Sequence, residues 1–307
     1  MTALAVPFAG IAFQNPIILA SGTAAYGREL HDIVDLEQLG GLVTKAVSLA
    51  PRLGANAPRV SDFPGGMINA IGLANPGVDV VRDVELPWLA VTLSRAKVLV
   101  NVVGNAAEDF ADVIARLEAS AGVAGYELNV SCPNVKAGGM EFGADREVLR
   151  ALISRARAAT RRPIVIKLSP TLADLAGTAQ VAADAGADAL TLTNTLPGLV
   201  IDVETRRPRI GFGSGGVSGP PLLPVGVLAT WRVSRAVQVP IIGLGGVSRG
   251  EHALQYIMAG ATLVGVGTAG MVDPRAPERI VSELAHWCAR HGVSSLASVR
   301  GTLEWPS

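Results

Sequence analysis

Eight short apolar, β-branched runs in this chain each end at residues able to bind or to react. The runs are residues 16–20, 41–45, 97–101, 125–130, 164–169, 189–193, 240–243 and 263–266. At or just past their ends stand Ser21, Lys45, Asn101, Asn129, Lys167, Thr193 with Asn194, Gly245 with Gly246, and Gly267 with Thr268. Strand ends are commonly polar, which accounts for one or two of these. Two lysines and three asparagines at the mouths of otherwise apolar runs point to a binding or catalytic site. The two Gly turns speak to a ligand more directly. Each follows a run, and glycines let backbone N–H groups approach an anion closely. A phosphorylated cofactor or substrate is the expected occupant; glycines serving only tight turns are the bland alternative.

Residues 127–136 read E-L-N-V-S-C-P-N-V-K. Asn129 and Ser131 fall on one side of an extended chain, by the two-residue period. Cys132 follows, where Pro133 ends regular pairing. A thiol there can serve as a base, although its ordinary pKa of about 8.5 leaves little thiolate at neutral pH. A buried structural cysteine is the alternative, and for Cys288, inside a late helical stretch, it is the better reading. His31, His252, His286 and His291 fall in or beside helical stretches and none at a strand mouth, so neither a histidine base nor a metal site is expected. Gly211, Gly213 and Gly216 fit G-x-G-x-x-G, but that fingerprint must follow a strand and open a helix. This one follows a basic stretch and runs into Ser218-Gly219-Pro220-Pro221, so it reads as a mobile loop.

The elements that hold these residues follow from the alternation. Amphipathic segments lie near residues 28–39, 107–119, 145–159, 172–185, 225–237, 249–258 and 277–290. Strands alternating with helices mean βα units and a parallel sheet, and eight of them predict closure into a (β/α)8 barrel. Ala185-Gly186-Ala187 and Ala259-Gly260-Ala261 each read as a left-handed helix end leading into a strand. Residues 47–96 and 196–224 are too long for plain loops. The second carries Arg206, Arg207, Pro208 and Arg209. Insertions after barrel strands sit on the catalytic face, so these are expected to form a lid or a partner surface.

The bulk composition excludes several functions. The chain has 307 residues, and residues 1–307 fit one barrel domain, since barrels of about 250 residues form a single unit. Lys plus Arg is 26 and Asp plus Glu is 26. A zero net charge argues against nucleic acid or an anionic membrane as the main partner. No apolar run reaches the roughly 18 residues of a membrane helix. The apolar start, residues 1–20, lacks a basic leader and reads as a first strand or hairpin. Two cysteines fit a cytoplasmic protein and are too few for a disulfide framework or an iron–sulfur cluster.

N-V-S-C-P-N-V-K-A-G-G at residues 129–139, with M-I-N-A-I-G-L-A-N-P-G at residues 67–77, resembles the class 1 dihydroorotate dehydrogenases. A-S-G-T at Ala20, T-K-A-V-S at Thr44, I-K-L-S-P at Ile166, N-T at Asn194, S-G-P at Ser218 and G-L-G-G-V at Gly243 support the resemblance, which runs from about residue 10 to about residue 275. It implies FMN in the barrel mouth and oxidation of dihydroorotate to orotate, in pyrimidine biosynthesis. FMN would contact Ser21, Lys45, Ala46, Asn101, Asn129, Lys167, Thr193, Gly219, Gly245, Gly246, Gly267 and Thr268. Substrate would contact Lys45, Asn69, Ala70, Ile71, Gly72, Leu73, Asn129, Asn194 and Thr195, with Cys132 as base.

These implied roles suit the chemistry. Orotate is a planar ring with amide edges and a carboxylate. Asn side chains offer both donor and acceptor to such edges, and Lys45 can neutralise the carboxylate. Lys45 also speaks against a dihydropyrimidine dehydrogenase-type barrel, because uracil carries no carboxylate. A non-catalytic flavin- or phosphate-binding barrel leaves Cys132 and the Asn set unexplained. Cys132 and the soluble start resemble class 1 rather than the membrane-associated class with a Ser base. The V-K-A-G-G continuation resembles the NAD-linked type rather than the fumarate-linked homodimer. That type implies a homodimeric core of a heterotetramer, with an electron-transfer subunit carrying FAD and a [2Fe–2S] cluster.

Overall fold

The computed structural model describes residues 3–131, 133–134 and 140–306. Eight parallel strands close a barrel: Ile17–Leu19, Gly41–Val43, Lys97–Val102, Val123–Asn129, Ile164–Leu168, Ala189–Leu192, Ile241–Leu244 and Leu263–Val266. They are neighbours in chain order, and the eighth pairs with the first through Val264↔Ile17 and Val266↔Leu19. All eight runs read from the sequence are these strands, with ends shifted by one or two residues. Such strands are buried on both faces, so each reads as a continuous apolar run and not as an alternation. A hairpin of Val6–Phe8 and Ile11–Phe13 precedes the first, with Phe8 and Phe13 packed edge to face.

Helices follow the strands and bury one stripe each. Ala107–Leu117 buries Phe110, Val113, Ile114 and Leu117, the spacing of one helical face. The Asp109 carboxylate accepts N–H bonds from Asn105 and Ala106 at its start. Arg146–Ala159 buries Leu149, Leu152, Ile153 and Ala156 and is capped by Asp145, whose side chain accepts from the N–H of Glu147 and of Val148. Each such Leu, Ile or Phe contributes roughly 1.5–3 kcal/mol on burial. Leu175–Asp184 and Gly250–Met258 end before Gly186 at φ 106° and Gly260 at φ 115°, the left-handed ends expected there.

The segment at 28–39 is not one helix. It forms a single turn at Arg28–His31 and a 3-10 turn at Leu36–Gln38. Asp35 accepts from the Glu37 N–H, a local bond that competes with helix continuation.

The two insertions meet. Val60–Phe63 and Gly66–Asn69 come from the first, Leu196–Gly198 and Gly215–Ser218 from the second. Together they form one four-stranded antiparallel sheet, in which Gly66–Asn69 pairs with Gly215–Ser218. The segment read as a mobile loop around Gly211–Gly216 is therefore in part a strand. Its glycines serve close packing: a Cβ on Gly216 would lie 2.0 Å from Thr195 Oγ1 and one on Gly211 2.6 Å from the Ala57 carbonyl oxygen. The first insertion also carries a helix running through Val78–Val80, Val81–Glu85 and Leu86–Thr92, whose middle turn is widened. Pro87 lies just past that turn, and it has no N–H to give to the carbonyl four residues back. Among the described residues no helix is long and apolar enough to cross a membrane.

Candidate active site

A cavity of about 630 Å3 opens at the carboxyl ends of the barrel strands, within the range of cofactor sites. Its floor is polar although the barrel wall is not. Asn101 stands opposite Glu127 across the third and fourth strands, Asn129 opposite Lys167 across the fourth and fifth, and Lys167 opposite Thr191 across the fifth and sixth. Glu127 is 1% exposed. Its carboxylate accepts from Asn101 Nδ2 at 2.8 Å and from Thr191 Oγ1 at 2.7 Å, with Lys167 Nζ at 3.9 Å. Lys167 also donates to Ser21 Oγ at 3.0 Å. Sequence reasoning passed over Glu127. The signal was there: a carboxylate inside a buried strand, two residues before Asn129 and so on the same face.

The sides of the cavity gather the remaining candidates. Lys45 and Ala46 line it after the second strand, and the Lys45 ammonium has no hydrogen-bond or ion-pair partner among the described residues. Asn194 Nδ2 donates to Asn129 Oδ1 at 3.3 Å, while Asn194 Oδ1 accepts from the Thr195 N–H at 2.8 Å. The second of these fixes the Asn194 amide. Asn69, Ile71, Gly72 and Leu73 come from the first insertion. The Asn69 amide donates to the Gly216 carbonyl at 3.2 Å, tying one insertion to the other. Ala70 does not line the cavity; its N–H donates to the Arg59 carbonyl. Ser131 lines it with a buried hydroxyl that has no hydrogen-bond partner among the described residues. Cys132 lies outside the described residues.

The far end is built of turns. Thr193, Gly219, Gly245, Gly246, Gly267 and Thr268 all line it. Thr268 Oγ1 donates to Ser218 Oγ at 2.8 Å, joining the turn after the eighth strand to the insertion sheet. Gly246 has φ 69°, and a Cβ there would lie 2.5 Å from the Leu223 backbone nitrogen, so only glycine fits. The buried Tyr256 hydroxyl donates to the Gly245 carbonyl at 2.8 Å, and burial holds its phenol far above the ordinary range. Replacing Tyr256 with Phe should therefore destabilise the fold by about 1–3 kcal/mol in urea unfolding, since the carbonyl loses a buried partner. An unchanged midpoint and slope would show that the bond does not hold this turn. Nearby, burial and the Arg249 guanidinium hold the His252 imidazole below its ordinary value. Met271, Val272 and Arg279 also line the rim, with Arg279 held by Asp273 at 2.6 Å; no motif or spacing points to them.

The family model described as dihydroorotate dehydrogenase matches residues 3–287. The chain belongs to that family. It is 45% identical over 301 residues to a Geobacter protein named dihydroorotate dehydrogenase B (NAD(+)), catalytic subunit, with 98% of each chain covered. It is 46% identical over 302 residues to a Solibacter usitatus protein with the provisional name dihydroorotate dehydrogenase A (fumarate), covering 98% of this chain and 99% of that one. A crystal structure of the Eimeria tenella DHODH in complex with ferulenol superposes with a TM-score of 0.82 at 24% identity, covering 98% of this chain and 88% of that one. That likeness bears on the fold, which is the expected barrel. The family match bears out the resemblance carried by residues 67–77 and 129–139, and with it an oxidoreductase of a flavin-dependent family.

The residues present fit a flavin mononucleotide with a small acid beside it. A cavity of this size has room for both. The buried Ser131 hydroxyl, without a partner among the described residues, calls for a polar ligand, because such groups are otherwise satisfied, and the half-buried Lys45 ammonium offers that ligand a cation. The Gly245–Gly246 and Gly267–Thr268 turns can bring main-chain N–H groups against a phosphate.

Proposed function

We propose that this chain is the catalytic subunit of an NAD-linked dihydroorotate dehydrogenase, a single FMN-binding domain that oxidises (S)-dihydroorotate to orotate in pyrimidine biosynthesis. The observation that carries it is the convergence of Lys45, without an ion-pair partner among the described residues, with Asn69, Asn129 and Asn194 on one cavity. A cation and three amides suit a carboxylate-bearing ring with amide edges. Uracil would leave Lys45 without a counter-charge.

The roles divide by position. Gly219, Gly245, Gly246, Gly267 and Thr268 would hold the FMN phosphate. Ser21, Lys45, Ala46, Asn101, Asn129, Lys167 and Thr193 would hold the ring and its chain. When bound, the flavin supplies a two-electron acceptor for the hydride from substrate C6. Cys132 takes the proton from C5. Lys45 pairs with the carboxylate, and Asn69, Asn129, Asn194 and Thr195 orient the ring edges, with Ile71, Gly72 and Leu73 beside it. The Lys167 ammonium, which lines the cavity, would favour negative charge on a bound flavin ring.

The electrons must then leave. We place the onward path in a partner subunit with FAD and a [2Fe–2S] cluster, docked on a homodimer of this chain. The test uses the purified single chain loaded with FMN. Dihydroorotate should bleach its flavin absorbance, and NAD should then accept essentially nothing until the partner is added. Efficient NAD reduction by the single chain would sink the partner assignment. Efficient fumarate reduction would place it with the type for which the Solibacter relative is named.

A further inference from the structure

We propose that Glu127 is a positioning residue for the flavin site: its carboxylate holds Asn101 and Lys167 in place beneath the ring and offsets the Lys167 charge. The proposal rests on the flavin reading above. Glu127 does not itself line the cavity, while two of its three partners, Asn101 and Lys167, do. It therefore acts through them.

The arrangement is costly as mere packing. The interior of such a barrel is normally filled by branched apolar side chains. Here a carboxylate whose side chain is 2% exposed takes their place, facing an ammonium whose side chain is 7% exposed. Burying an ion pair in place of apolar side chains seldom adds stability. What the pair supplies is direction. Two hydrogen-bond donors, from the third and sixth strands, and an ammonium from the fifth converge on the one carboxylate of the fourth. Asn101 Nδ2 is committed downward, which leaves its amide oxygen to accept from the ligand. Lys167 is held between Glu127 and Ser21. Charge matters too, because in a site closed to water it acts over longer distances than at a surface. Lys167 alone would make the flavin easier to reduce and a poorer electron donor afterwards. The Glu127 carboxylate counteracts that.

The test is the reduction potential of FMN bound to the purified single chain, by dye equilibration without substrate. Glu127→Gln keeps the shape and removes the charge. Its flavin should become at least tenfold easier to reduce, about 30 mV for a two-electron couple. Glu127→Asp keeps the charge but shortens the reach. Its potential should stay within about threefold of the unaltered chain, while FMN binds about tenfold more weakly as Asn101 loses its hold. Equal potentials in the unaltered and Gln proteins would overturn the proposal. So would equal shifts in the Gln and Asp variants. Should Glu127→Gln fail to fold, Lys167→Met with Glu127→Gln leaves no unpaired buried charge. If Glu127 offsets the Lys167 charge, removing both should leave the potential within about threefold of the unaltered chain, and a flavin at least tenfold harder to reduce would overturn the proposal. If the unaltered chain took up no FMN, the absorbance spectrum would show it before any variant was made, and the flavin reading would fall first.

Discussion

Replacing Cys132 with alanine should leave FMN bound and orotate binding intact, while flavin reduction by dihydroorotate slows by about 10²–10⁴-fold. The loss is that of a general base, and rapid mixing under anaerobic conditions reads it directly. The pH profile supplies a second measurement. A thiol works as a base only as thiolate, and its ordinary pKa is about 8.5. The reduction rate of the unaltered enzyme should rise with pH through that region and level off above it. Cys132→Ser should rescue little, because a hydroxyl is far less acidic. A near-normal rate in the alanine variant would assign the proton to another residue.

The phosphate end allows an equally large effect, and the geometry decides where to aim. Gly246→Asp would mix two causes, since any Cβ at Gly246 meets the Leu223 backbone at a φ of 69°. Gly267 is cleaner. A Cβ there finds only Ala20 Cβ and Thr23 Cγ2, both at 3.7 Å. Gly267→Ala should keep FMN affinity within about tenfold. Gly267→Asp should weaken it by about 10²–10³-fold, as like charges a few ångströms apart repel by about 4 kcal/mol in a partly buried site. Apoprotein titrated with FMN, followed by flavin fluorescence, measures both. Equal affinities for the Ala and Asp variants would place the phosphate elsewhere.

Much of this site was legible because the barrel converts sequence position into spatial position. Each apolar run had to be a strand, and each residue just past it had to reach the same rim. Ser21, Lys45, Asn101, Asn129, Lys167 and Thr193 thus meet in one cavity although the chain separates them widely. Glu127 escaped because the functional reading looked at strand ends, and it lies one inward-facing step below. The insertion sheet escaped for another reason. Its strands pair across long stretches of chain, and Gly215–Ser218 opens with two glycines, which carry no strand signal of their own. The rim residues Met271 and Val272 sit past the last strand on a short helix, and Arg279 on the long helix Ala276–Arg290 after it, where spacing says nothing about which side faces the ligand.

The insertion sheet has a consequence for how the molecule comes together. Asn69 bonds to the Gly216 carbonyl across a sequence separation of 147 residues. Contacts of that range carry a large loop-closure cost unless intervening structure has already formed. The barrel strands between the two insertions must be largely in place before this roof can knit, so the flavin cavity is among the last features to form. A flavin bound there would engage the finished molecule and not its precursors. Its contribution to persistence should appear in the rate of unfolding and leave the rate of folding nearly untouched.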